Sequence, residues 1–294
     1  MMRAYNLAMK TTLAIVGLTL LALSYSIAAE PVADPFADFT RGWRDNPVWH
    51  DGQAECAVYD ATRTIYGQPR DYTARIFTNK EVFSPETFTK SDDGEGWPVF
   101  KHHIRDDVPT KNYTYHFSTM AYVGTDDLKS LKLDMGSIED CGATFKQYVN
   151  HAGTLNWRQH SYFPGEGERS GEMKPGKHFA FQDALTLILR GYPFDAPPKT
   201  LELQMLRDQT DTHLTLPDTL GTGVAIVQYR GEETLDLPIG EVKAHHLVLW
   251  LAPDWDEHYW FASDASMLHV MVQHEGRWGV TYKLKELERR AYWR

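Results

Sequence analysis

The densest group of residues that could do chemistry lies near the end of the chain, in the segment Asp254-Trp255-Asp256-Glu257-His258. Asp254, Asp256 and His258 are two residues apart, so an extended segment would direct all three side chains to one side. Calcium would accept the carboxylates, and a transition metal would favour the imidazole. These three residues are therefore candidate metal ligands of a cation-assisted hydrolase, and a solvated loop after Pro253 is the alternative.

The 13 histidines give no further metal signature. His102–His103 and His245–His246 are adjacent pairs in predicted strands, so the two rings of each pair should face opposite sides of a sheet. The sequence contains no H-E-x-x-H, C-x-x-C or G-x-S-x-G motif. These patterns predict no cofactor and mark no nucleophile. Enzymatic activity stays open, but a non-enzymatic role is favoured.

Large aromatic residues are concentrated in the last 45 residues or so. One interpretation is an apolar or stacking groove for a lipid-like or glycan ligand. The other is a core built of large side chains. The candidate ligand-binding residues are Trp250, Tyr259, Trp260, Trp278 and Tyr282.

The elements that must position these residues are mainly strands. Period-two alternation of apolar and polar residues recurs from Ala54 to Met135 and again from Leu201 to Leu284, which is typical of half-buried antiparallel strands. Helical spacing is confined to Phe179 to Arg190, after an exposed Gly-rich loop. We expect a mainly β fold: one antiparallel curved sheet or two packed sheets, in two strand-rich halves joined by a loop and one helix.

The predicted domain organisation follows from these patterns. Residues 1–29 form a signal peptide, 30–165 an N-terminal β-rich half, 166–198 the loop and connecting helix, and 199–294 a C-terminal antiparallel half. Residues 30–294 can equally form one continuous domain.

The first 29 residues predict export. Arg3 and Lys10 precede the apolar run Leu13–Leu23, and Ser26-Ile27-Ala28 fits a small-x-small cleavage site. An uncleaved N-terminal anchor is the alternative, although the run is short for a membrane span. No cysteine follows the run closely enough for lipoprotein attachment, and no later stretch is apolar enough to span a membrane. We therefore expect a periplasmic or secreted protein.

The net charge of the chain limits which partners it can bind, and its cysteine content predicts its redox state. Removing the predicted signal changes the formal net charge from −10 to −12, since Arg3 and Lys10 are its only charged residues. A chain this acidic is repelled by nucleic acid and by anionic membrane surfaces. Cys56 and Cys141 are the two cysteines, and in an oxidising compartment an even pair predicts a disulfide, with two free thiols as the alternative.

Two stretches carry a family resemblance. Trp49 to Glu55, Tyr66 to Arg70, Phe83 to Pro85 and Ser161 to Gly167 resemble an uncharacterised exported bacterial β-rich family. Its members sometimes carry the automatic label "septum formation inhibitor Maf", although the Ser-x-Ser-x-Arg-Arg-type motif of true Maf proteins is absent here. Residues 233–284 are similar to a periplasmic β-family of unknown function. The resemblance implies an exported β fold and supplies no catalytic residue.

Three functions are compatible with these observations. The leading hypothesis is non-enzymatic binding or carriage of an apolar envelope ligand, such as a lipid. The second is a structural or assembly protein of the cell envelope, with another envelope protein as its partner. The third is an extracytoplasmic hydrolase, cation-assisted through Asp254, Asp256 and His258.

Overall fold

The computed structural model describes residues 36–176, 178–214, 223–251, 255–291 and 293. The predicted signal peptide at residues 1–29 lies outside the described residues, and so does Asp254. Within the described part, no helix is both long enough and apolar enough to cross a membrane.

The described residues form one mainly antiparallel sheet of fifteen strands, and the sheet is open at both edges. The strands are β1 Ala54–Ile65, β2 Gln68–Phe83, β3 Trp97–Pro109, β4 Thr114–Gly124, β5 Ser130–Glu139, β6 Gly142–His151, β7 Thr154–Ser161, β8 Gly167–Met173, β9 Phe179–Phe181, β10 Leu201–Leu206, β11 Gly223–Leu237, β12 Gly240–Leu251, β13 Trp255–Ala262, β14 Met271–Glu275 and β15 Thr281–Arg290.

The helical part of the fold is small. A 3-10 turn at Gln182–Ala184, the short helix α1 at Leu185–Ile188 and a second 3-10 turn at Leu189–Gly191 follow one another without a break. Residues 182–191 are called the helical segment below. Other 3-10 turns lie at Pro47–His50, Ala265–Met267 and Arg277–Gly279.

The strand order is β8-β7-β6-β5-β4-β3-β2-β1-β15-β14-β13-β12-β11-β10-β9. Each half is therefore a meander of neighbouring strands, and the first and last strands join the halves by antiparallel pairing between Ala54 and Arg290. Among the described strands one pair, β9 with β10, is parallel, and the helical segment lies between the two. The prediction of a mainly antiparallel β fold with one helix is confirmed, and the two halves form one sheet rather than two.

Alternation of side chains explains why these segments are strands. Along β7, Leu155, Trp157 and Gln159 are buried while Asn156 and Arg158 are exposed, so one face packs inward and the other meets water. The expected opposition of adjacent histidines is confirmed in β3. There His102 Nε2 lies 2.8 Å from Thr186 Oγ1 of the helical segment, whereas His103 Nε2 lies 2.9 Å from Ser118 Oγ.

The segment boundaries differ from the prediction in two places. The predicted helix over Phe179–Arg190 begins at Gln182, because Phe179–Phe181 pair with Gln204–Leu206 of β10. The predicted exposed loop contains β8, which pairs with β7 at the edge of the sheet while five of its seven residues stay exposed. Glycine and charged residues therefore marked exposure here and not loop structure.

The sheet curves around the chain between β9 and β11. Ser130 of β5 accepts a hydrogen bond from the backbone of Phe181, Lys146 of β6 donates to the carbonyl of Gln209, and Arg63 of β1 donates to the carbonyl of Thr210. From the other half, Trp255 of β13 lies against Arg207 of the same stretch, 5.5 Å from its guanidinium. One connecting segment thus fills the inner face of the sheet, with all residues of α1 buried.

A buried ion pair fixes the helical segment to β1. Arg190 donates two hydrogen bonds to the carboxylate of Glu55, at 2.6 and 3.1 Å, and both side chains are almost fully buried. Its guanidinium lies 5.8 Å from the ring of Trp43, which stacks on Phe100. A bidentate geometry of this kind holds two groups in one orientation.

The predicted Cys56–Cys141 disulfide is wrong. Cys56 is buried in β1, and Cys141 lies in the exposed turn between β5 and β6, where its thiol contacts the Tyr113 hydroxyl at 3.5 Å. Four strand spacings separate β1 from β5, which is about 19 Å along the sheet. A disulfide requires Cα atoms within about 7 Å. Both cysteines are free thiols.

We expect one thiol to react in the folded protein and two in the unfolded protein. Cys141 is exposed, whereas Cys56 is buried and burial raises the pKa of its thiol, so Cys56 should be unreactive until unfolding. Titration with a coloured disulfide reagent, with and without denaturant, measures both counts. A native mass two hydrogens lower than the sequence mass would contradict the assignment.

Candidate functional site

A cavity of about 330 Å³ lies between the inner face of the sheet and the connecting segment. Its walls come from β1, β2 and β3 on one side, β13 to β15 on the other, and residues 207–214 after β10. The volume falls in the range of small-molecule sites. Its lining combines charged and aromatic side chains with the aliphatic residues Ile76, Ile104, Leu214, Met271 and Val280. The charged and aromatic ones include Arg63, Asp183, Arg207, Asp208, Asp211, Trp255, Glu257, Tyr259, His274, Arg277, Trp278 and Tyr282.

Two aspartates form a proton-sharing pair in the cavity wall. Asp183, in the helical segment, hydrogen-bonds to Asp208, which follows β10. The backbone N–H of Gln209 and the hydroxyl of Thr210 donate to Asp183 at 3.2 and 3.1 Å, and the Thr210 backbone donates to Asp208 at 2.8 Å. Two carboxyl groups in contact cannot both ionise readily. One proton therefore stays on the pair.

The proton belongs to Asp183. Burial raises the pKa of Asp183 well above its usual value, and the neighbouring charge of Asp208 raises it further. Burial also acts on Asp208, but the charge of Arg63 and the hydrogen bond from Asp183 outweigh it and hold the pKa of Asp208 below its usual value. The side chain of Asp208 is exposed to solvent and lines the cavity. A neutral acid and a carboxylate thus stand side by side at the wall.

A second acidic group lies on β13. The Tyr259 hydroxyl donates to Glu257 Oε2 at 2.6 Å, and His274 Nε2 lies 3.4 Å from the same oxygen. The rings of Tyr259 and His274 stack with centroids 4.4 Å apart. Burial and the Glu257 charge raise the pKa of Tyr259 well above its ordinary value, so the phenol stays protonated. The side chains of Glu257, Tyr259 and His274 therefore hold one another in fixed positions.

A third acidic group borders the cavity behind Arg63. Asp106 Oδ2 accepts hydrogen bonds from Tyr282 at 2.7 Å and Tyr72 at 3.2 Å, and Arg63 Nη1 lies 4.0 Å away. Burial raises the pKa of Asp106 despite the arginine. The Arg63 guanidinium also lies over the ring of Phe117 at 4.5 Å. These contacts fix the guanidinium at the cavity wall.

Three residues that line the cavity each carry a buried N–H donor that makes no hydrogen bond to any residue the structure describes. The donors are Nη1 of Arg63, Nε of Arg207 and Nε1 of Trp255. A buried donor without a partner costs about 1–3 kcal/mol, and more when it is charged. Three such donors around one space indicate that the space suits a ligand rich in hydrogen-bond acceptors.

Cationic and aromatic side chains alternate at one end of the cavity. The Arg277 guanidinium lies 4.4 Å from the ring centre of Trp255 and 4.5 Å from that of Trp278. Arg207 lies on Trp255 as well, at 5.5 Å. The exposed Trp278 adopts a left-handed backbone conformation, with φ of 58°. Stacking of this kind orients guanidinium groups while leaving their N–H edges available.

The structure brings some of the predicted ligand-binding residues together and separates others. Tyr259, Trp278 and Tyr282 line the cavity. Trp250 is on the other face of β12 and is 41% exposed, with Arg230 over its ring at 5.9 Å. Trp260 is buried away from the cavity. The aromatic signal therefore located the right strands, and it did not reveal the charged residues of the site.

The structure describes two of the three predicted metal ligands, Asp256 and His258. His258 Nε2 lies 3.3 Å from Asp256 Oδ2, on the face of β13 opposite Tyr259. Asp254 lies outside the described residues, so the three-ligand site stays a prediction. In the ranges that the structure describes, no group of three or more His, Cys, Asp or Glu side chains is arranged to hold a metal ion.

We expect the protonated Asp183 to make the protein less stable as pH rises. In the unfolded chain Asp183 loses its proton near pH 3.8, whereas in the folded protein it keeps the proton to a much higher pH. Between the two values the folded state binds more protons, so the free energy of unfolding falls with rising pH, by up to about 1.4 kcal/mol per pH unit.

The variant Asp183→Asn should lose this dependence, because an amide can still donate to Asp208 but carries no titrating proton. Urea unfolding at several pH values measures the slope in both proteins, and Asp93→Asn, at an exposed turn residue, is the control. Equal slopes in the wild type and Asp183→Asn would contradict the assigned proton.

No protein-family model, curated protein or solved structure matches the chain.

Proposed function

We propose that the protein is an extracytoplasmic binding protein for a small anionic ligand, held in the cavity between the sheet and the connecting segment. The observation that carries this proposal is the set of three buried N–H donors on Arg63, Arg207 and Trp255 that make no hydrogen bond to the described residues; Arg63 Nη1 has only the longer ion-pair contact with Asp106 at 4.0 Å. A carboxylate, sulfate or phosphate group supplies the acceptors that these donors lack, and arginine recognises such planar or tetrahedral oxyanions well.

The ligand should carry donor groups as well. The cavity is lined by the cations Arg63, Arg207 and Arg277, and also by the carboxyl groups of Asp208, Asp211 and Glu257. These groups accept hydrogen bonds from hydroxyl or ammonium groups. The proposed ligand is therefore an anion with hydroxyl or amino substituents, such as an acidic sugar or an amino acid.

A lipid-like ligand fits the site less well. The inner face of the sheet is filled by the buried side chains of α1, and the remaining space is lined by many charged groups. Burying an acyl chain against charged side chains would cost them hydration without offering new partners. The cavity thus favours a polar ligand over the apolar one expected from the aromatic pattern.

A hydrolytic role is the second candidate, and the Asp183–Asp208 pair favours it. A neutral carboxylic acid beside a carboxylate is an arrangement that can donate a proton to a leaving group and accept one from water. Hydrolysis at this site would require the carboxyl pair but no metal ligand from Asp256 or His258, which lie on the opposite face of β13.

Calorimetric titration of the purified mature protein tests the binding proposal. Glucuronate, glutamate and inorganic phosphate represent three anion classes, glucose is the neutral control and a medium-chain fatty acid represents the apolar ligand. We expect saturable binding of at least one anion and none of glucose. Binding of the fatty acid alone would overturn the proposal.

A further inference from the structure

A pair of histidines lies on the face of the sheet opposite the cavity. Glu257 and Tyr259 line the cavity, so the alternate residues of β13, Asp256 and His258, project from the other face. His246 of the neighbouring strand β12 lies beside His258 on that face. His246 and His258 are called the histidine pair below.

The two imidazoles form the centre of a chain of four side chains. His246 Nε2 lies 2.9 Å from His258 Nδ1. At the outer ends, His246 Nδ1 lies 3.3 Å from Glu233 Oε1, and His258 Nε2 lies 3.3 Å from Asp256 Oδ2. Each imidazole therefore has one nitrogen toward a carboxylate and one toward the other ring.

Trp260 supports this chain. Its indole stacks on His246 with centroids 4.4 Å apart and on His258 at 5.7 Å, and its N–H donates to Glu233 Oε1 at 2.6 Å. Trp260 is buried, whereas the side chains of His246 and His258 are 18% and 32% exposed. Trp260 therefore supports the two imidazoles from the buried side, and their other side is open to water.

The four side chains offer fewer N–H groups than contacts. They make three contacts in which an N–H is favourable: the hydrogen bond between His246 and His258, and the ion-pair contacts of 3.3 Å from Glu233 to His246 and from His258 to Asp256. Two neutral imidazoles carry only two N–H groups, and ionised carboxylates carry none. In the neutral state one contact therefore joins two acceptors. A cation between the imidazoles removes this conflict, because both carboxylates can then accept an N–H.

The two facing nitrogens are placed as a pair of metal ligands would be, and the neutral imidazole is the form that coordinates metals. Histidine nitrogens favour Zn²⁺, Cu²⁺ and Ni²⁺, and a carboxylate on the far nitrogen is a common support for a metal-bound histidine.

We propose that the histidine pair binds one transition-metal ion between His246 Nε2 and His258 Nδ1, with Glu233 and Asp256 as positioning residues that hold the outer nitrogens. Metal–nitrogen bonds of about 2.0–2.1 Å place the two nitrogens roughly 3–4 Å apart, so a small rotation of the partly exposed His258 ring admits the ion. Water completes the coordination. Asp256 has a different role here from the ligand role predicted from sequence.

Titration calorimetry with NiCl₂ and ZnCl₂ tests the site, on untagged protein first stripped of metal. We expect uptake of one ion per chain at neutral pH. His246→Gln and His258→Gln should each weaken uptake at least tenfold. His116→Gln is the matched control: His116 contacts a carboxylate, Asp107, at 2.6 Å, and is exposed. It should bind as the wild type does.

Glu233→Gln should weaken binding roughly 10- to 100-fold, as expected for loss of a carboxylate behind a metal-bound histidine. Electron paramagnetic resonance of the Cu²⁺-loaded wild type should show coupling to two imidazole nitrogens, and this readout does not depend on any variant folding. Absence of uptake, uptake unchanged in both histidine variants, or a Cu²⁺ spectrum with fewer than two nitrogens would overturn the proposal.

Discussion

Replacing Arg190 by methionine is expected to lower the free energy of unfolding by about 3–5 kcal/mol. Arg190 makes two hydrogen bonds to Glu55, and both side chains are almost fully buried. Removing the cation leaves a buried carboxylate without a partner, and breaking a buried pair from one side has a cost of this size. Urea unfolding of the wild type and Arg190→Met measures the difference.

The exposed pair Arg41–Asp45 provides the matched control. Its side chains are 52% and 51% exposed at a separation of 2.9 Å, so Arg41→Met should change the free energy of unfolding by less than about 1 kcal/mol. The double variant Glu55→Met/Arg190→Met should recover part of the loss, since no buried charge remains. Equal, small effects of Arg190→Met and Arg41→Met would show that the buried pair does not hold the helical segment to β1.

Replacing Arg207 by methionine is expected to weaken binding of the proposed anion roughly 10- to 100-fold. Arg207 lies at the cavity wall with an unpartnered Nε and stacks on Trp255. A hydrogen bond to a charged group contributes about 1.5–3 kcal/mol, and each 1.4 kcal/mol is tenfold in affinity. Calorimetric titration with the anion that binds the wild type measures the change.

Arg230→Met is the control for that experiment. Arg230 also lies over a tryptophan, Trp250 at 5.9 Å, but on the face of the sheet away from the cavity. It should leave anion binding unchanged while removing the same charge from the protein. A loss of affinity that is equal in both variants would indicate a general effect of net charge, and the cavity assignment would fail.

Much of the fold could be predicted because buried and exposed side chains alternate along most of the strands. β4 alternates buried Tyr115 and Phe117 with exposed or half-buried neighbours, and the apolar stretch of β12 lies deep inside the sheet. The apolar pattern does not predict β6, because Lys146 and Asn150 are among its buried residues, and it is interrupted in β7, where Gln159 is buried beside Leu155 and Trp157. A pattern of apolar residues cannot reveal a strand whose inner face is partly polar.

The site was harder to predict for a related reason. Arg63, Asp183 and Asp208 meet at one cavity, but more than a hundred residues separate the first from the other two. Charged residues in a sequence normally indicate solvent-exposed positions, and none of these three stands in a recognisable motif. The aromatic residues Tyr259, Trp278 and Tyr282 were the only part of the wall that composition made visible.

The spacing of the histidines in the sequence predicted that adjacent ones occupy opposite faces of the sheet, but not which of them are in contact. Parity correctly separated His245, which stacks on Phe194 at 4.1 Å, from its neighbour His246. The contact between His246 and His258 depends on the register of β12 with β13, where His246 pairs with Trp260. Register is set by the whole sheet, so no local pattern could have predicted the histidine pair.

Native mass spectrometry of the mature protein, purified from its own cells without a tag, tests the central claim most directly. The account predicts a discrete added mass that is released as a small anion bearing carboxylate, sulfate or phosphate groups, and that Arg207→Met retains poorly. A protein that carries an acyl lipid instead, or that stays bare after incubation with the glucuronate, glutamate and phosphate series, would contradict a cavity built for a small anion.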